Sequence, residues 1–371
     1  MTHDDATASP AARPPADQPS ARPSDRLTDR LTGHDTRPPS DPGRPRPSTY
    51  VARSPQDLVA LVPVVLGFEP EDSVTMLTFG ARRQFHARID LPPSDDRGGA
   101  VLAELVAALV EPARRHGVRR VVLVLHTADR RLARRVAEAL ERSFVDAGID
   151  LLHALRVAGE RWWTACGPGS TGAGSPVQPA THPFRVRSVV EGRVTHASRA
   201  DLARSIAVDE EAAAAVAAAL PAATAAAPPA APTSPEEVTA LLDRLVPTGR
   251  AATDREVAGL LASLRDIECR DAAWTHMRRA TAPDEVAFWS DVTRRAPEVH
   301  VADAAALLGF AAWLAGHGAL AWCALDRALD AQPEHPMAVQ VSFLLERAVP
   351  PHDWDRVRDL DAGRGGTRVA G

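Results

Sequence analysis

The chain has no lysine; all 43 of its basic side chains are arginine. High alanine and proline accompany this bias, so it reads as coding composition. Its chemical consequence stands regardless. No Walker-type phosphate-binding lysine, Schiff-base lysine or lysine general base exists here. Cysteine is scarce too. Cys166, Cys269 and Cys323 are odd in number and far apart, which excludes a disulfide framework and a zinc spacing. Buried free thiols in a reducing compartment are expected, and with them a cytoplasmic location. Long apolar runs are missing: Val121 to Leu125 is far too short to cross a bilayer. The opening residues lack the apolar core of a signal peptide, so none is expected. There is no Gly-x-Ser-x-Gly elbow, no His-Glu-x-x-His and no Asp-rich calcium loop. No metal set is expected, and no cofactor can be named. The net charge of -5 argues against a general nucleic-acid binder.

What remains is 371 residues that are 45% hydrophobic, enough for one or two domains with a real core. Residues 1–48 are rich in Pro, Arg, Asp and Ser, and read as a disordered tail. Order is expected from Tyr50. Ser54-Pro55 reads as an N-cap with proline in the first turn. Leu58, Leu61, Val62 and Val65 then share a helical face. Pro63 predicts a kink or an early stop, and Gly67 fits the end. Ser73–Phe79 and Gln84–Leu91 read as strands joined by a turn at Gly80-Ala81-Arg82-Arg83. A helix follows through Leu102, Leu105, Val106 and Leu109. Val121–Leu125 reads as a strand buried on both faces. Another helix runs through Leu132, Val136, Leu140 and Phe144, and strands follow at Leu151–Val157 and Arg161–Ala165. The alternation predicts an α/β domain over residues 50–205, with a mostly parallel sheet opened by an antiparallel hairpin.

Residues 206–235 read as a helical start running into an Ala/Pro linker. From Ser234 the period is helical throughout, giving an all-α domain over 236–350 and a flexible tail over 351–371. Leu308-Gly309, Ala321, Leu325, Ala328 and Pro333 follow the small-and-large pattern of a tetratricopeptide (TPR) hairpin. Only one such repeat is visible, so a single TPR-like hairpin within a helical bundle is expected. Its role is either structural or partner binding.

Ser54-Pro55-x-Asp57-Leu58, Val62-Pro63 and Leu66-Gly67-Phe68-x-Pro70-x-Asp72-Ser73 closely resemble the opening of the bacterial domain of unknown function 4192 family. Ala87-Arg88-Ile89-Asp90-Leu91-Pro92, Leu155-Arg156-Val157, Arg161-Trp162-Trp163 and Ser198-Arg199-Ala200-Asp201-Leu202 continue the likeness. So do Leu264-Arg265-Asp266, Arg270-Asp271-x-x-Trp274 and Trp313-Leu314-x-Gly316-x-Gly318-Ala319-Leu320-Ala321. The resemblance covers about residues 50–350 and implies no particular activity. It does imply a Cys-Cys-Pro segment after the tryptophans. Here Cys166 runs instead into Gly167-Pro168-Gly169-Ser170-Thr171-Gly172, so any metal or redox property of that segment is not expected.

Several residues are chemistry candidates. Asp72, Arg88, Asp90 and His126 fall at predicted strand ends. If they converge, arginine would grip a carboxylate or phosphate while aspartate or histidine moves a proton. The alternative is a turn cap, a structural ion pair and a hydrogen-bonding histidine. Arg156, Arg161 and Trp163 flank a predicted turn and suit an anion or a stacked ring; a buried tryptophan with a stacked arginine is the other reading. Gly167-x-Gly169-x-x-Gly172 matches the dinucleotide fingerprint but opens no predicted helix. The leading expectation is a non-enzymatic binding or regulatory protein, with a helical part for a protein partner and a small anionic ligand on the α/β part. The alternative is an enzyme, a hydrolase or transferase acting at the strand ends.

Overall fold

The computed structural model describes residues 50–81, 85–96, 99–177, 181–223, 232 and 234–355. The expected disordered tail, half of the expected hairpin turn and the later part of the Ala/Pro stretch lie outside the described residues.

The first helix, α1 (Pro55–Leu66), starts where the chain can cap it. Ser54 Oγ accepts from the Asp57 backbone N–H, and the Asp57 carboxylate accepts from that of Ser54. This capping box contributes about 1 kcal/mol. Gly67, at φ +79°, ends the helix in a conformation that only glycine adopts at no cost. Pro63 neither kinks it short nor stops it. Leu58, Leu61 and Val62 are buried against the sheet, and that packing outweighs the hydrogen bond proline removes.

The sheet holds β1 (Ser73–Phe79), β2 (His86–Asp90), β3 (Arg120–His126), β4 (Asp150–Ala158), β5 (Arg161–Thr164) and β6 (Ser175–Pro176), in the order β2-β1-β3-β4-β5-β6. The expectation of a mostly parallel sheet is wrong. Among the described residues only β3 and β4 pair in parallel; the other neighbours are antiparallel. The reason is where the first crossover lands. After the β1–β2 hairpin, α2 (Ala100–Arg115) returns the chain parallel to β2 but on the free edge of β1. Alternating strands and helices report crossovers, not neighbours. The α3 helix (Arg130–Asp146) then links β3 to β4, and a hairpin at Gly159 adds β5.

Each sheet face has its own core. Leu77, Phe79, Val122, Val124, Leu155 and Val157 lie under α1. Val74, Met76, Val121, Leu123 and Leu125 lie under α2 and α3. All seven residues of β1 are buried, because this strand is central and covered on both sides.

The rest is helical: α4 (Pro183–Val190), α5 (Arg199–Arg204), α6 (Glu210–Ala223), α7 (Pro235–Leu245), α8 (Asp254–Ser263), α9 (Ile267–His276), α10 (Ala282–Arg295), α11 (Val301–Leu314), α12 (Gly318–Ala331) and α13 (Pro336–Glu346). Phe184 of α4 packs on the α1-side core, and the helices from α5 onward share a core that extends from Leu202 to Trp354 and takes in Phe68 from the segment before β1. Val216 buries α6 in this core, so much of the expected linker is packed helix. Trp354, placed in the expected flexible tail, is buried against Trp274 and Phe310, with ring centroids 4.7 and 5.1 Å away. The helical and sheet-bearing parts touch where Phe68 bridges to His196 and Arg199 pairs with Asp326 at 2.9 Å.

At the α11–α12 contact, a Cβ on Gly309 would stand 2.7 Å from Leu325 Cδ2. Leu325 is fully buried and cannot retreat. Gly309→Val is expected to destabilise the chain by about 2–3 kcal/mol through overpacking, read as a lower urea midpoint at unchanged slope.

Candidate functional site

β2, β3 and β4 run in one direction and bring Asp90, His126 and Ala158 to one sheet edge, where β1 begins with Ser73. The carboxyl ends of co-directional strands are where such sheets hold ligands. The register places Ser73 opposite both Asp90 and His126, and Thr75 opposite Arg88 and Val124. Alternate residues of a strand share a face. Ser73, Thr75, Arg88, Asp90 and His126 therefore stand on the α1 face, with cross-strand Cβ atoms roughly 5 Å apart.

This patch is polar, yet apart from Asp90 it is largely closed from water. Ser73 and Thr75 have no exposed surface, and His126 keeps 9%. Ser73 Oγ, Thr75 Oγ1, Arg88 Nε and His126 Nδ1 are all buried without a hydrogen-bond partner, as is His86 Nδ1 one step along β2. Orphan buried polar atoms are few in a folded protein; here five share one face of three adjacent strands. Burial pushes the His126 imidazole down to about 4, helped by the neighbouring Arg88 charge. Burial alone does the same to His86. Both rings are neutral at pH 7.

Arg88 is anchored from outside. Its Nη2 meets Asp90 Oδ1 at 2.7 Å and donates to the Glu71 carbonyl at 3.2 Å. Its guanidinium lies 5.7 Å from the centre of the Phe68 ring. Asp90 is 77% exposed against 15% for Arg88, so the carboxylate sits at the rim. It is an exchangeable counter-ion for a cation whose inner N–H has no acceptor.

The structure brings together Arg88, Asp90 and His126 and leaves Asp72 out. Asp72 is exposed, at φ +36°, and contributes its backbone carbonyl to Leu91 N–H at 2.8 Å. Ser73 stands between Asp90 and His126, so no carboxylate–histidine pair forms and the expected convergence of all four groups does not occur. Ser73 and Thr75 are the residues that sequence reasoning missed. Their one signal was a pair of short polar residues two apart at the start of a largely apolar strand.

Arg156 and Trp163 stand on the opposite face, because β4 places Arg156 opposite Leu125 and β5 places Trp163 opposite Arg156. The Arg156 guanidinium lies 4.1 Å over the Trp163 ring and donates to Thr127 O at 3.4 Å. Trp163 Nε1 donates to Gly172 O at 2.8 Å, and Arg161 donates to Ala173 O and Gly174 O at 2.8 and 2.9 Å. Arg161 and Trp163 thus hold the loop between β5 and β6. The fingerprint-like glycines belong to that loop. Pro168–Ser170 makes one short 3-10 turn and opens no helix. A Cβ at Gly169 would stand 2.8 Å from Thr164 Oγ1, and one at Gly174 would enter the Trp163 ring. The glycines let the loop wrap Trp163 closely.

Among the described residues no group of three His, Cys, Asp or Glu side chains could hold a metal ion. None of their helices is long and apolar enough to cross a membrane. Trp289, Trp313 and Trp354 are buried and Trp274 and Trp322 half-buried, so the helical tryptophans serve mainly as core.

A family model, described as a domain of unknown function (DUF4192), matches residues 55–352. No curated protein and no solved structure matches the chain.

His126 carries a pH signature. Unfolded histidines take up protons near pH 6.5, the folded His126 near 4. Between those values the unfolded state binds more protons, so this residue lowers stability as the pH falls through the window, by at most about 1.4 kcal/mol per unit. Urea midpoints measured from pH 7 to pH 5 are expected to fall less steeply in His126→Gln than in the native chain. Equal slopes would show that the ring accepts a proton freely.

Proposed function

We propose that this chain, which belongs to the DUF4192 family, is a binding or regulatory protein that holds a small anionic ligand at the carboxyl ends of β2 and β3. The carrying observation is the set of orphan polar atoms on the α1 face: Ser73 Oγ, Thr75 Oγ1, Arg88 Nε and His126 Nδ1. Two hydroxyls, a neutral imidazole and one guanidinium N–H make a donor-rich surface with a single cation. A carboxylate satisfies all of them, and an arginine N–H to such an anion is a strong, charge-assisted bond. The burial of Ser73 and Thr75 limits any ligand here to a few atoms. It does not suit turnover of a large substrate, and no base stands beside a nucleophile with a third group to orient it. This supports binding over the hydrolase or transferase alternative.

The helical part, whose core takes in α6 and Trp354, is proposed to contact a protein partner, with α11 and α12 as its single TPR-like hairpin. The close approach at Gly309 and the small residues Ala321 and Ala328 are what such a hairpin needs. The ligand site lies next to this part. Phe68, over Arg88, is buried in the helical core, so occupancy of the site has a physical route to the helices.

A thermal-shift titration with acetate, other small carboxylates and phosphate tests the reading. A ligand at 100 times its Kd adds about 2.7 kcal/mol to stability. The native chain is expected to show a saturable rise in Tm with at least one carboxylate, lost in Arg88→Gln. Thr75→Val is expected to weaken that response while leaving the ligand-free chain no less stable, since an orphan hydroxyl contributes nothing. A Thr75→Val chain destabilised by more than about 1 kcal/mol, or a carboxylate response untouched by Arg88→Gln, would overturn the site.

A further inference from the structure

We infer a second anion site on the opposite face of the same sheet edge, built on Arg156 and the first turn of α3 and suited to a tetrahedral oxyanion such as a phosphoryl group. It shares no residue with the α1-face site and does not depend on that reading.

A guanidinium is almost never buried without a counter-ion, because desolvating the charge costs several kcal/mol. Arg156 is only 7% exposed, yet no carboxylate of the described residues pairs with it. Its polar bond is one long contact to the Thr127 carbonyl, at 3.4 Å. The stack on Trp163 offsets at most about 2 kcal/mol of the burial. Burial lowers its proton affinity, and the charge that adds to this effect is another cation, Arg130.

The corner it occupies is positive in other ways. Thr127 leads into α3, a 17-residue helix whose N-terminal N–H groups carry partial positive charge. Arg130 and Arg131 open that helix and are exposed, with no acid in the first turn. Cations are unfavourable at this end of a helix. The N-cap Asp129 carboxylate accepts from the Arg131 and Leu132 N–H groups and from Ser94 and feels the Arg131 charge, but it makes no ion pair with Arg156. A bound oxyanion would give Arg156 its missing counter-ion and take a second guanidinium from Arg130, beside the α3 N-terminus whose Arg131 and Leu132 N–H groups Asp129 already occupies. Arg156 is pre-set for this, since Trp163 clamps the plane of its guanidinium and the Gly172 carbonyl clamps Trp163.

The test is a titration of the full chain with inorganic phosphate at constant ionic strength, chloride making up the balance, followed by Tm. The native chain and Arg88→Gln are expected to show the same saturable rise. Arg156→Met, which keeps the stem packed on Trp163, is expected to show none and to be no less stable than the native chain without phosphate. Arg130→Gln is expected to bind about tenfold more weakly, the loss of one charge-assisted bond. Glycerol phosphate run in parallel distinguishes a phosphomonoester from free phosphate as the source, and saturation by either supports the site. The proposal is overturned if the native chain gives no response to either, or if the response survives Arg156→Met. It is equally overturned if only Arg88→Gln abolishes the response, which would move phosphate to the other face. Should Arg156→Met not fold, an unchanged response in Arg130→Gln overturns it.

Discussion

A hydroxyl or N–H taken out of water must find a partner or leave the protein about 1–3 kcal/mol less stable, and β1 begins with two hydroxyls in that position. The strand is central, flanked on both edges by antiparallel neighbours and covered by α1 on one face and by α2 and α3 on the other. Ser73 and Thr75 therefore cannot turn to solvent. The same register that buries them sets Arg88 beside Thr75 and His126 beside Ser73. Neutral histidine, orphan hydroxyls and an arginine with an unused inner N–H all follow from where one strand was inserted. Thr78 shows the contrast. Buried in the same strand, it donates to the Phe85 carbonyl at 2.6 Å and accepts the Phe85 N–H.

That insertion is also what the sequence could not display. The start and end of α1 were legible because Ser54, Asp57 and Gly67 act locally, within one turn of the helix. The Ser73–Phe79 strand was legible from its run of apolar and β-branched residues. Strand neighbours were not, since a crossover helix is compatible with landing on either edge of a hairpin. Arg88 and Asp90 were readable as one face because they are two apart on a strand. That His126 would join them depended on the register across β1. Ser73 and Thr75 escaped notice because residue type does not reveal whether a hydroxyl finds a partner. Arg161 and Trp163 had the right chemistry for a ligand, but the Ala173, Gly174 and Gly172 carbonyls already use it.

The helical part spends its polar groups differently. His276 lies between Glu285 and Asp243, at 2.9 and 3.1 Å. The hydrogen bond to Glu285 chiefly raises its proton affinity. Glu285 also accepts from Trp289, so three helices are tied through one imidazole. Asp303 likewise accepts from Arg270 and His335, which holds its carboxyl below the usual range against the cost of burial. These buried polar groups are partnered and structural. The sheet instead sets five unpartnered atoms on one face, whereas those of the helical part, on Thr293, His300 and Ser342, lie on separate helical segments, which is why a small-ligand site is proposed on the sheet.

The most direct measurement is a high-resolution crystal structure of the full chain grown in acetate. The account expects density for an acetate-sized molecule on the α1 face, with oxygens within about 3 Å of Arg88 Nε and Thr75 Oγ1. Isolated ordered waters satisfying Ser73, Thr75 and His126 one by one, with no acetate among them, would contradict it.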